Sequence, residues 1–110
     1  MLRNYVCETS TAPGTSSTIN LAGAVAGRLA FAASFTNGAA CFYFMTDGTQ
    51  AEWGYGTFNT GTPNTLTRGT VVGNTAGSTA RLNFTGTTTV YNEVIAERVI
   101  YADGALLVTL

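Results

Sequence analysis

Turn-forming residues punctuate this sequence from end to end, and the stretches between them are short. Pro13-Gly14, Asn37-Gly38, Asp47-Gly48, Thr85-Gly86-Thr87 and Ala102-Asp103-Gly104 carry residues that preset φ or admit the left-handed region. Asn-Gly and Asp-Gly beside apolar residues are the strongest short hairpin signals. Much of the intervening sequence alternates with period two, which sends successive side chains to opposite faces of a sheet. Thr, Val, Tyr and Phe recur there, and all suit a pleated, half-buried surface. The expectation is an all-β fold of about eight short strands: a single-domain antiparallel sandwich or jelly roll, with an open barrel as the alternative.

Leu2 to Ser10 reads as a short strand or extended arm, and Ile19 to Val25 as a strand. Leu29 to Phe35 is the clearest strand signal, with Leu29, Phe31, Ala33 and Phe35 on one face; its alanines also admit a helix. Ala40 to Thr46 is apolar on both faces, which predicts a central strand. Asp47-Gly48 turns it into Gln50 to Phe58. That return strand carries Ala51, Trp53, Tyr55 and Thr57 on one face and Glu52, Gly54, Gly56 and Phe58 on the other. Two glycines on one face leave a groove in which a large side chain or another backbone lies close. Thr65 to Val72 follows as a strand broken at Gly69, and Ala80, Leu82 and Phe84 mark another. Thr88 to Tyr101 reads as one long strand, with a short helix over Asn92 to Val99 as the competing reading.

The 110 residues make one domain, with a core over about 5–91 and a C-terminal arm over about 95–110. A chain of this size buries roughly two thirds of its unfolded surface, enough for a core. Charged residues are only 10% of the chain, so its surface relies little on charge for solubility and is suited to packing against a partner. The absence of His removes Ser-His-Asp and Cys-His catalysis and His-containing zinc sites, and two Cys cannot complete a four-cysteine site. Without Lys there is no Schiff base and no P-loop lysine. Five scattered Arg against six acidic residues form no basic stripe, so no nucleic-acid partner is expected. No apolar run approaches the roughly 18 residues of a membrane span, and Met1 to Tyr5 lacks the apolar stretch of a signal peptide.

No residue is assigned a catalytic, metal or cofactor role. Glu93 and Glu97, on one strand face, stand about 13 Å apart, too far for a glycosidase pair. Asp47 belongs to its turn, and Glu52 lies on the groove face, where it can pair with an arginine such as Arg68. Cys7 and Cys41 read as two buried reduced thiols, a disulfide being the other arrangement. Trp53, Tyr55 and Phe58 read as core aromatics, with stacking on a sugar or base as the alternative.

The segment Asp47-Gly48-Thr49-Gln50-Ala51-Glu52-Trp53-Gly54-Tyr55-Gly56-Thr57-Phe58, then Thr65 to Val71 and Leu82-Asn83-Phe84-Thr85-Gly86-Thr87, resembles a β domain of tailed-bacteriophage virion proteins. Ala51 stands where that family has Trp, and Trp53 takes the following apolar position. A free-standing chain of this size with apolar ends is similar to capsid decoration (cement or staple) proteins of epsilon15-like short-tailed phages. The resemblance implies a structural protein of the virion, made in the host cytoplasm and carried on the outer capsid surface. Its partners would be the major capsid protein and a second copy at a symmetry axis. The expected contact residues are Leu2 and Tyr5 at one end and Leu106, Leu107, Val108 and Leu110 at the other. An adaptor anchoring a tail or head fibre is the alternative role.

Overall fold

A computed structural model describes residues 2–95. Among them are seven strands: β1 (Cys7–Thr11), β2 (Thr18–Asn20), β3 (Ala39–Thr46), β4 (Ala51–Asn59), β5 (Thr65–Thr67), β6 (Thr70–Asn74) and β7 (Thr87–Tyr91). All pairings between these strands are antiparallel, in the order β1-β7-β3-β4-β5-β2, with β6 beside β5 on β4. The fold is all-β, a single sheet nearly closed into a barrel. The chain leaving β2 makes the closure. Leu21 N–H donates to the Asn64 carbonyl on one side, and Ala22 N–H donates to the Thr9 carbonyl of β1 on the other. Residues 25–29 continue along β1, with Cys7 N–H bonded to the Leu29 carbonyl and Leu29 N–H to that of Tyr5.

The chain turns at Asp47-Gly48 as read, with Gly48 at φ 95°, but the loop runs on through Thr49 and Gln50 before β4 begins at Ala51. It sets the β3–β4 register, in which Phe44 faces Trp53 and Phe42 faces Tyr55. The faces of β4 also match the period-two reading. Glu52, Gly54 and Phe58 are buried, while Trp53, Tyr55 and Thr57 are half-buried on the outer side. The groove at Gly54 and Gly56 is filled by backbone: a Cβ on either would land on the carbonyl oxygen of Thr70 or Thr67. The break at Gly69 separates β5 from β6.

Three expected strands are corrected. Leu29 to Phe35 is not a strand; Phe31–Ala33 is a 3-10 turn. A spacing of four puts Phe31 and Phe35 on the same side of either a strand or a helical turn. Here the turn prevails, because Glu8 Oε2 accepts the Phe31 N–H at 2.8 Å and caps it. Phe31, Phe35 and Phe58 then form a ring cluster with centroids 5.8–6.4 Å apart. The Ala80 to Phe84 stretch forms one isolated bridge, between Phe84 and Gly14. The Ala80 carbonyl and both backbone groups of Leu82 bond to the side chains of Asn74, Arg68 and Glu52 instead of to a strand, and the Asn83 carbonyl accepts from Gln50 Nε2. Ile19 to Val25 is strand only through Asn20, after which Gly23 at φ 115° redirects the chain. The long reading from Thr88 stops at Tyr91, and its continuation past Ile95, like the C-terminal arm, lies outside the described residues.

Candidate functional site

Inside the barrel, Glu52 and Arg68 pair as the groove-face reading anticipated, and neither side chain is reached by solvent. Arg68 donates from Nε to Glu52 Oε2 at 2.9 Å and from Nη2 to Oε1 at 2.6 Å. Its remaining N–H groups go to the carbonyls of Gly14, Ser16 and Leu82. All five donors of the guanidinium are thereby used. Glu52 also accepts the Tyr43 hydroxyl at 2.7 Å and the Leu82 N–H at 2.8 Å. Burial, reinforced by the Glu52 charge, holds the Tyr43 hydroxyl protonated well above the usual tyrosine range.

The other carboxylates are held as firmly or stand apart. Glu8 accepts the N–H groups of Gly23 and Phe31. Asp47 accepts from Thr49 and Gln50, and its bonds to Thr49 first of all lower its pKa. Glu93 is exposed, and Glu97 lies outside the described residues. Cys7 and Cys41 are free, buried thiols. Desolvation pushes Cys41 up to about 12 and raises Cys7, whose rise the charge of Arg28 opposes. A cleft of about 450 Å³ lies beside β6. One wall is the saturated Arg68, and Arg81 across it donates Nε to the Thr15 carbonyl. These groups tie segments of the fold together.

The outward side of the sheet has a different character. Trp53 and Tyr55 are not in the core, as their strand alternation had been read; only Phe58 is. The core side of β3 and β4 is committed to Tyr43, Glu52 and Arg68, so the alternate residues face out. Register lines up Gly73, Trp53, Phe44 and Tyr91 across β6, β4, β3 and β7. Phe44 and Trp53 lie within 9° of parallel with centroids 6.0 Å apart, and Tyr91 meets Phe44 edge-on at 6.3 Å. Gly73 leaves room for the indole: a Cβ there would stand 2.9 Å from the ring. Tyr55 stands edge-on to Phe42 in the next row. The Arg28 guanidinium lies over both Tyr91, at 5.5 Å, and Tyr5, at 4.6 Å, so it joins the row to the N-terminal segment.

Of the expected contact residues, Leu2 is 40% exposed and Tyr5 64%; Leu106, Leu107, Val108 and Leu110 lie outside the described residues. Among the described residues the two other large apolar side chains that stand open to solvent, Leu29 (47%) and Val94 (45%), were not among the expected contact residues. They belong to the same corner. Leu29 is bonded to Tyr5 through the backbone, and Arg3, next to Leu2, donates its N–H to Asn92 Oδ1 two residues before Val94. Phe44, Tyr91 and Arg28 were also missed. The pairing of Phe44 with Trp53 depends on the loop running from Asp47 to Gln50; a two-residue Asp47-Gly48 turn would have set Phe44 against Ala51. No family model, curated protein or solved structure matches the chain.

Proposed function

We propose that this chain is a bacteriophage capsid decoration protein, a cement that binds the outer shell in many copies and staples neighbouring major capsid proteins. The observation that carries the reading is the division of the molecule. In its interior Glu52, Arg68 and Tyr43 are closed on one another, while aromatic and apolar side chains face outward on one side of the sheet and around the Leu2, Tyr5, Leu29 and Val94 corner. A domain built this way acts by adhesion. Trp, Tyr and Arg are the residues that most often carry binding energy at protein interfaces, and Trp53, Tyr55, Tyr91, Tyr5 and Arg28 share this side. The apolar stretch Leu106 to Leu110 supplies a second contact, and linked contacts gain through effective concentration. Two-fold self-association, the commonest symmetry, would double the contacts again.

The phage setting comes from the resemblance of the Asp47 to Thr87 segments, and the adhesive surface is what supports it. The test is sedimentation of the purified protein with phage shells, followed by densitometry against the coat band. Saturation at a copy number proportional to the capsid protein is expected. Saturation at a handful per particle would assign the chain to a fibre adaptor, and absence from the pelleted shells would overturn both roles.

A further inference from the structure

Two arginines line the cleft of about 450 Å³ beside β6, and among the described residues no carboxylate lines it with them. They differ in what their charge already meets. Arg68 spends its donors on Glu52 and on three carbonyls, and Glu52 cancels its charge. Arg81 is exposed and spends only Nε, on the Thr15 carbonyl at 3.1 Å. Among the described residues neither of its Nη groups meets an acceptor, and Glu52 with Arg68 is the only ion pair. The cleft therefore carries one uncompensated positive charge. A guanidinium tethered through Nε presents its two Nη groups as a planar fork, the shape that takes a carboxylate.

The surroundings of that fork are fixed by the fold. Buried Asn74 accepts the N–H groups of Ala76 and Ser78 at Oδ1 and donates from Nδ2 to the Ser78 hydroxyl and the Ala80 carbonyl. Those four bonds hold the loop that brings Thr79 and Arg81 to the cleft. Val71 of β6 lines it too. Among the described residues β6 pairs with β4 alone, so its other edge has no ladder partner there. The register shift between Trp53 and Gly54 also leaves Val72 out of the ladder with β4. A sheet edge of this kind accepts an added strand: main-chain bonds supply affinity, and the pockets alongside supply specificity. The volume lies within the range of about 300–1,000 Å³ usual for ligand sites.

We propose that the cleft takes an extended peptide segment of another protein, which adds to the open edge of β6 and sets a glutamate or aspartate carboxylate on the Arg81 fork. The proposal does not rest on the decoration role, which shell sedimentation tests separately. The probe is the blocked peptide acetyl-TVEVT-amide, with acetyl-TVQVT-amide as its uncharged counterpart. When the first is titrated into the isotope-labelled full chain, saturable nuclear magnetic resonance shifts are expected at the Val71, Val72 and Gly73 amides and at the Arg81 Nε–H. The glutamine peptide should bind about tenfold more weakly, the loss of a charge-assisted pair. Arg81→Gln should weaken the glutamate peptide by the same factor and make the two peptides equal. Arg81 is exposed, so this variant is expected to fold; the two peptides on the unaltered chain test the proposal if it does not. Equal binding of the two peptides to the unaltered chain would overturn the proposal, as would the absence of any saturable shift. Shifts at Arg81 with the β6 amides unmoved would also overturn it, because they would leave an anion contact without strand addition.

Discussion

Arg68 and Glu52 meet side by side inside the nearly closed barrel, and between them they hold the Gly14 to Ser16 turn, β3 through Tyr43, and the irregular chain at Leu82. A buried pair is weak evidence for net stability, but breaking one strands a charge and several hydrogen-bonding groups in the interior. Glu52→Gln would turn a carboxamide donor toward a guanidinium that only donates. We expect Glu52→Gln and Arg68→Leu each to lower stability by about 3–5 kcal/mol, against about 5–15 kcal/mol for a whole domain. Replacing both by Met and Leu should recover only part of the loss, because the Gly14, Ser16 and Leu82 carbonyls remain without their donor. Urea unfolding of the three variants measures this; a double variant as stable as the unaltered chain would show that the network is dispensable.

How much of this was legible follows from what each signal encodes. The Asp47-Gly48 turn and the alternation beyond it define β4 and its two faces, and Glu52 on the glycine face made Arg68 a natural partner. Which face points inward is not written in the alternation, because β3 is apolar on both. Tyr43 and the buried pair decide it, so Trp53 and Tyr55 were assigned to the wrong side. Phe31 and Phe35 failed for another reason: their spacing fits two conformations, and the cap that selects the turn comes from Glu8, distant in sequence. The Ala80 to Phe84 stretch failed because alternation marks faces and cannot show that the backbone's partners are side chains.

Gly54 and Gly56 test the close approach of backbones. A methyl group at either position meets a carbonyl of the neighbouring chain, not a side chain that could swing aside. Gly54→Ala and Gly56→Ala should each cost about 3 kcal/mol or more, the upper end of overpacking. Gly86→Ala is the control: nothing lies within 4 Å of its Cβ position, and its φ is not in the left-handed region. Its thermal midpoint should match that of the unaltered chain, while the other two fall by many degrees.

Alkaline pH should weaken the fold through its buried, pKa-raised groups, Cys41 and Tyr43 above all, with Cys7 adding in the same direction. Burial raises Cys41 to about 12 and raises Tyr43 as well, so both stay protonated in the fold. In the unfolded chain they release protons near about 8.5 and 10. Between those values and the folded ones the native state binds more protons, and the linkage relation makes stability fall as pH rises. The contribution is complete below about pH 8 and is lost progressively above it. Urea midpoints from about pH 8 to 11 should decline, with Cys41→Ala removing much of the part that begins first and Cys7 keeping the rest. A flat profile would place both groups in a wetter setting than the structure gives them.

Tyr5 separates adhesion from folding. It sits at φ 66°, a conformation that asparagine adopts more readily than most side chains. Its ring is largely open to solvent and lies beneath the Arg28 guanidinium. Tyr5→Asn keeps the backbone and deletes the ring, so stability should change by no more than about 0.5 kcal/mol, as at other surface positions. If Tyr5 contacts the shell, losing an interface tyrosine should cost about 1–2 kcal/mol of binding, roughly tenfold in affinity. Co-sedimentation with phage shells measures the second quantity and urea unfolding the first. Unchanged shell affinity in a folded Tyr5→Asn variant would move the contact surface away from this corner.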